Sequence, residues 1–461
     1  MSASRLLAAV AAIVATVPAE LIRAAGARLE EARPALDLLD AYYGGRQPGA
    51  LNFVAPEVRA ALGTRLNPVI VNWPRMAIGA VEERLDVVGF RLGRDQPVDT
   101  RLWDVWQANG MDEASQVAHL EALLYGRCFV TVWVGPNGAR IAVESARQVT
   151  MNYAPGTRQR TSAVKAWNED QYGRAVVYEP TRITRWRTRS KIPEYGGTPP
   201  ADGWSLVETI PNPLGVVPVV ELRNRPRLLG EGESELTDVI PLTDAISKLA
   251  SDMMVSAEFH AMPRRWAAGI ELVEDPDGNV VENFSPVAGR TWVSEAPESK
   301  FGQFPEADLS GFVNGVELLT QQLASVTAIP AHYLNSLTGQ LPSAESLRAA
   351  EAGLVARVRR RQRVFGGGWE DVARLVLLVL EGRLPVGAES METVWADPET
   401  RTVAQAADAA VKKADLGVPW AQLMEDLGYS PTQVERMRAM RRQDALDGQG
   451  LDLEGLLGLG T

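Results

Sequence analysis

Two stretches of the chain repeat one pattern. From Ser234 to Phe259 the apolar positions Val239, Leu242, Ile246, Leu249, Met253 and Ala257 recur in steps of three and four. From Leu309 to Val326 the same steps return at Leu309, Phe312, Val316, Leu319, Leu323 and Val326, with Asn314, Glu317, Gln321 and Gln322 opposite. Each stretch predicts a helix with one narrow apolar seam. Between them, residues 263 to 305 hold short strand-like pieces broken by "DPDGN", "SPVAG" and "APESK". That alternation predicts a small β module carried on two helices.

The first half reads differently. "NPVIVNWPRMAIGAVEERLDVVGFRL" gives a short apolar strand, a helix opened by Pro74 and a strand from Val87 to Leu92. A helix over 112 to 125 leads into "CFVTVWVGPNGARIAVES", two strands around a turn, and β-rich segments continue to about residue 222. This predicts an α+β body. After the second seamed helix, "IPAHYLNSLTGQLPSAESL" is a loop of about a dozen residues that closes at Ser343, a good N-cap. The third helix is basic at "RVRRRQR", and Gly366, Gly367 and Gly368 predict an interruption and a kink. Residues 397 to 446 read as polar helices, and "DGQGLDLEGLLGLGT" as a mobile tail.

With 461 residues, 46% hydrophobic and 23% charged, the chain is long enough for two to four ordered domains. Lys+Arg 47 against Asp+Glu 58 gives a net charge of -11, which argues against gripping nucleic acid by overall charge but not against enclosing it. One cysteine, Cys128, excludes an intrachain disulfide and predicts a buried reduced thiol, which fits assembly inside a cell. The N-terminal "RLLAAVAAIVATVPAE" imitates a signal peptide. An alanine-rich helix running past Pro18 into "LIRAAGARLEEA" accounts for it better, since no cysteine framework follows and the run is too short for a bilayer. A soluble protein is expected.

Chemistry is sparse. His119, His260 and His332 fall in three different elements without paired spacing, so structural roles are expected. "GEGES" at 230 to 234 lacks the lysine and Ser/Thr of a phosphate loop, and a helix entry explains its glycines. "DPDGN" has Pro286 where a calcium loop needs its glutamate, so a hairpin turn explains it. Arginines 357, 359, 360, 361 and 363 spread around most of a helix, which suits pairing with neighbouring acids at least as well as a nucleic-acid stripe. No catalytic residue, cofactor or metal is expected.

In the order α+β body, "NPLGVVPVVELRNRPRLLGEGESELTDVIPLTDAISKLASDMMVSAEFHAMPRRWAAG", "KFGQFPEADLSGFVNGVELLTQQLASVTAIPAHYL" and "PSAESLRAAEAGLVARVRRRQRVFGGGWEDV", the chain resembles the portal proteins of tailed bacteriophages, in the branch common among phages of actinobacteria. The likeness covers residues 36 to about 395. It implies a portal architecture: an N-terminal helix (1–35), an α+β wing (36–231), stem helices at 232–262 and 308–328, a clip at 263–307, and a tunnel loop at 329–342. A long kinked helix with the wing return (343–396) and a helical crown with its tail (397–461) complete it. It further implies a homo-oligomeric ring, usually of twelve subunits, at one capsid vertex. Double-stranded DNA passes through such a ring during packaging and ejection. Partners would be the large terminase, head-completion or adaptor proteins, and major capsid and scaffolding proteins, with no membrane and with assembly in the host cytoplasm.

On this resemblance, His332, Asn335, Ser336, Thr338 and Gln340 are the expected DNA-facing loop residues. Asp244, Lys248, Asp252 and Glu258 are channel-wall candidates, with Lys248 spaced to pair with both aspartates. Leu242, Ile246, Leu249, Met253, Phe312, Val316, Leu319 and Leu323 are the expected stem packing. His332 and Tyr333 also suit packing that fixes the loop's exit. Two other classes stay open at this level: a cytoplasmic nucleotide hydrolase, for which no phosphate loop is visible, and a peripheral membrane protein anchored by the N-terminal helix.

Overall fold

The computed structural model describes residues 3–49, 69–93, 96–136, 138–191, 202–228, 230–261, 265–269, 298–303, 308–334, 343–399, 403–429 and 431–456, with the side chains of 3–17, 258–261, 265, 267, 303, 344–345, 403–405, 431–432 and 446–456 outside this description. Two compact units result: residues 1–48, 72–241 and 323–461 form the first, and 49–71 with 242–322 the second.

In the first unit, helix α1 (Ala3–Tyr43) runs unbroken through Pro18 and Pro34, so it continues past the expected boundary at 35. Ile22, Ala25 and Leu29 share one face at helical spacing and are buried against Val164, Ala166, Ala175, Val177, Trp186 and Trp204. Those residues lie on the last four strands of the meander β4 (Val149–Tyr153), β5 (Arg160–Glu169), β6 (Tyr172–Tyr178), β7 (Arg182–Thr188) and β8 (Trp204–Pro211), which is one antiparallel sheet in sequence order. Ala163, on the opposite face, packs with Phe129, Met151 and Val219 and joins this sheet to a three-stranded one. That second sheet has β2 (Arg127–Gly135) at its centre between β3 (Gly138–Ser145) and β9 (Val219–Arg223). Cys128 lies buried at its centre, where burial pushes the thiol well above its ordinary range.

Helix α2 (Trp73–Glu82) starts as read, with Asn72 capping and Pro74 in the first turn, and leads to β1 (Val87–Arg91). Helix α3 (Thr100–Ala108), absent from the sequence reading, is capped by Asp99, whose side chain accepts from the amides of Arg101 and Leu102. Helix α4 (Met111–Tyr125) follows.

Helix α7 (Ala344–Glu381) begins at the Ser343 cap and is continuous through Gly366–Gly368, so the expected interruption is absent. Gly366 and Gly368 serve close approach instead. A Cβ on Gly368 would stand 2.3 Å from Leu222 Cδ2, and one on Gly366 3.3 Å from Trp395 Nε1. β12 (Glu392–Trp395) then pairs antiparallel with β1. Helices α8 (Val403–Asp415), α9 (Trp420–Asp426) and α10 (Pro431–Leu456) end the description. Since α10 carries on over Gly448 and Gly450, ten residues assigned to a mobile tail are helical, the two glycines weakening the helix without ending it.

In the second unit, α5 (Ile240–Ala261) and α6 (Ser310–Thr327) are the seamed helices, and β10 (Arg265–Ala268) pairs antiparallel with β11 (Lys300–Gln303). Trp266 lies across bare Gly302, where a Cβ would meet its indole at 2.5 Å. "DPDGN" and "SPVAG" lie outside the described residues.

His119 is a core residue, as expected. It is fully buried, stacks on Phe365 at 5.5 Å, and accepts a hydrogen bond from Trp369 Nε1 at 2.8 Å. Burial lowers its pKa from 6.5 to about 3. The fold therefore favours the neutral ring, and the stabilisation is complete above pH 6.5 and is lost as pH falls from there toward 3. By pH 5 the loss is about 2 kcal/mol. His119→Gln keeps an acceptor for Trp369 and should flatten the fall in urea midpoint between pH 7 and 5; an unchanged slope would refute the assignment.

Candidate functional site

The α5 helix starts at Ile240 and not at 232 or 234, because Pro241 has no amide to donate and suits only a first turn. The preceding residues are held by turns, with Ser234 Oγ accepting from the Leu236 amide at 3.0 Å. Of the expected stem packing, only Ile246 and Leu323, each 1% exposed, are fully buried within one chain. Leu242, Leu249, Met253, Phe312, Val316 and Leu319 are half-buried. The buried face of α5 is instead Thr243, Ile246, Ser247 and Ser251, and Ser251 Oγ donates to the Ser247 carbonyl at 2.7 Å. The helices meet at Gly315, where a Cβ would lie 3.0 Å from Leu249 Cδ1. Val313 (46% exposed), Leu318 (57%) and Met254 (57%) stay uncovered in the single chain.

Asp244, Lys248 and Asp252 fall on one face of α5 at spacing four and are half-buried or at its margin. Lys248 is ion-paired with Asp252. The Glu258 side chain, and Asn335, Ser336, Thr338 and Gln340, lie outside the described residues.

The loop's entry is described. Helix α6 ends at Thr327, where Ala328 takes a positive φ of 54°. A short 3₁₀ turn, Ala331–Leu334, follows. Its Tyr333 hydroxyl donates to Glu351 Oε1 at 3.1 Å and accepts from Arg84 Nη2 at 3.0 Å, with Arg84 and Glu351 themselves 3.4 Å apart and largely buried. His332 packs edge-on to Tyr333 at 4.8 Å.

A second cluster lies where "GESE" passes under α7. Glu235, 1% exposed, is ion-paired with Arg357 and receives Arg361 Nε at 2.7 Å and Asn224 Nδ2 at 3.0 Å. Burial alone would raise its pKa, but the two guanidiniums outweigh it and hold the carboxyl below its ordinary value. Gly126 and Gly232, at φ of 83° and 116°, let two backbones cross here; a Cβ on Gly232 would stand 2.2 Å from the Gly126 carbonyl oxygen. Of the "GEGES" glycines, Gly232 thus serves this crossing and not the expected helix entry, α5 starting only at Ile240. Arg359 pairs with Glu399 at 2.6 Å, while Arg360 and Arg363 are exposed. The arginine run is partly an internal structure, and the 357/361 spacing of four was its signal in the sequence. Nothing in the sequence pointed to Arg84 as a partner of Tyr333.

A groove of about 910 Å³ runs between the β1/β12 pair and helices α8 and α9. Arg91 of β1 pairs across it with Glu425 of α9 at 2.6 Å, and on its helical wall Lys413 of α8 pairs with Asp426 of α9 at 2.5 Å. Among the described residues no group of His, Cys, Asp or Glu could hold a metal, and no helix is long and apolar enough to cross a membrane.

In chain order, an α+β body is followed by two long helices that keep exposed apolar side chains, with a β pair between them. Residues 26–444 match the model of the phage portal protein family, SPP1 Gp6-like, and the chain belongs to that family. It is 32% identical to the portal protein of Mycobacterium phage L5 over 464 residues, covering 95% of this chain and 90% of that one. To the portal protein of Mycobacterium phage D29 it is 32% identical over 434 residues, covering 89% and 85%. A chain of the native gene transfer agent virion aligns with 83% of it, and with 99% of its own length, at a TM-score of 0.44 and 11% identity. As a portal protein the chain is a component of the virion.

Tyr333→Phe removes both hydroxyl contacts and should lower stability by about 1–2 kcal/mol. Hydrogen exchange should rise at Ala331–Leu334 while β5 and β6 keep their protection. Unchanged exchange in that turn would show that the hydroxyl does not hold it.

Proposed function

We infer that this protein assembles as a closed ring, of about twelve copies, at one vertex of a phage capsid. Double-stranded DNA passes through it during packaging and ejection, and the large terminase and later the head-tail connector proteins dock on it. Assembly takes place in the host cytoplasm. The observation that carries the ring is the uncovered apolar surface of α5 and α6: Met254, Val313 and Leu318 have no cover within one chain. A neighbouring pair of stems, contacting through a heterologous interface, supplies it.

Charge supports the channel. At -11 per chain, twelve copies carry 12 × -11 = -132 formal charges. A sleeve of that sign attracts few phosphate contacts, and each such contact would add affinity and hence friction. Asp244, Lys248, Asp252 and Glu258 are the proposed channel-wall residues, and the Lys248–Asp252 pair leaves that lysine little charge for DNA.

Native mass measurement should find assemblies of roughly 600 kDa, allowing a subunit or so either way, from a chain of 50.1 kDa. Because Leu318 is exposed in the single chain, Leu318→Asp should keep the wild-type circular dichroism yet shift the protein to smaller species. Full rings from this variant, or a stable wild-type monomer at micromolar concentration, would count against the proposal.

The loop's uncharged polar residues Asn335, Ser336, Thr338 and Gln340, with His332 at its start, are proposed to touch DNA weakly, without the grip of lysine or arginine. Replacing 335–341 by a Gly-Ser linker should leave rings intact and reduce retained DNA in particles. Normal filling and retention would make the loop only a connector.

A further inference from the structure

One side chain lies between the entry of α5 and the exit of α6. Arg357 gives Nη2 to Glu235, five residues before Ile240, and Nη1 to the carbonyls of Val326, at 3.2 Å, and Thr327, the last residue of α6. Those carbonyls are among the four that a helix C-terminus leaves without intrahelical donors, at the negative end of the helix dipole. A guanidinium offers five donors in one plane and can serve carboxylate and carbonyls together, which an ammonium on a flexible stem does poorly. Arg361, one turn later, reaches Glu235 but neither carbonyl. The same stretch of α7 also receives Ala328, whose Cβ would lie 3.4 Å from a Cβ on Gly353, and the Tyr333 hydroxyl at Glu351.

We propose that Arg357 is a positioning residue that couples the lead-in of α5 to the end of α6, with Glu235 holding its guanidinium in place, so that the two helices leave the wing tied together. The role of α5 and α6 as stem helices comes from the functional reading above. The coupling itself is read from amide protection, so it can fail while ring mass and packaging stand, and the reverse.

The test is hydrogen exchange on the assembled full-length protein. Glu235→Gln does not touch the α6 carbonyls, yet it frees Arg357, and it should speed exchange over 324–330 and 236–240 together, roughly 10- to 100-fold. Arg357→Lys should do the same. Arg361→Gln should loosen 236–240 while leaving 324–330 within about threefold of wild type. Unchanged exchange over 324–330 in Glu235→Gln, or equal loosening there in Arg361→Gln, would overturn the proposal. If Glu235→Gln does not fold, the contrast between Arg357→Lys and Arg361→Gln decides alone: unequal effects over 324–330 support the coupling and equal ones refute it.

Discussion

A carboxylate buried to 1% exposure is tolerable only where its charge is answered, and Glu235 is answered twice, by Arg357 and Arg361, with Asn224 supplying a further donor. Such a cluster is weak evidence for stability, since desolvating three charged groups offsets much of their attraction. What it fixes is place. If Glu235 moved out of reach of both guanidiniums, uncompensated charges would remain in a buried site, so the lead-in to α5 cannot slide or turn relative to α7 without a penalty of several kcal/mol. The crossing of Gly126 and Gly232 brings the carboxylate there: no residue with a Cβ at position 232 could pass 2.2 Å from a carbonyl oxygen. Backbone geometry and electrostatics specify the same arrangement, and neither works alone.

Helix α7 is the element along which these constraints are laid out. In successive turns it meets the loop entry at Glu351 and Gly353, the buried carboxylate at Arg357 and Arg361, the ring of His119 at Phe365 and Trp369, and strand β9 at Gly368. Three consecutive glycines in a helix each lose about 1 kcal/mol in propensity against alanine. At Gly368 a Cβ would collide with Leu222, at Gly366 it would stand tight against Trp395, and Leu222, at 1% exposure, gains packing that offsets part of the loss. Helix continuity therefore follows from the neighbours, not from local preference.

This explains what was legible in the sequence. Periodicity found α5, α6 and the α+β body because apolar spacing is a property of the element itself. The Ser343 cap and the Pro74 opening were found because helix starts are settled within three residues. The continuity of α7 was missed because the reason for its glycines is Leu222, about 146 positions earlier, and Trp395. The short helix α3 was missed because its anchor, Trp106, packs edge-on to Phe90 and Trp369, contacts that no local pattern reveals. At the candidate site, the residue types on α5 were readable and the Lys248–Asp252 pair followed from spacing. Glu235 was not, since its guanidinium partners lie more than a hundred residues away; Tyr333 was legible as packing at the loop's exit, but its distant partner Arg84 was not.

Symmetry gives the pairing of cations a further meaning. In a ring each side chain is presented once per subunit, so one free arginine facing a channel becomes about twelve, and the salt-dependent affinity for a duplex grows with every phosphate it meets. A chain that needs arginine for planar, multi-acceptor contacts inside its fold must therefore keep those charges matched. Here Arg357 and Arg361 are answered by Glu235, Arg359 by Asp397 and Glu399, Arg91 by Glu425 and Lys413 by Asp426. In the proposed ring the excess of acids over bases supplies the carboxylates that pair these particular cations and so withhold them from phosphates, while Arg360 and Arg363 stay exposed on α7.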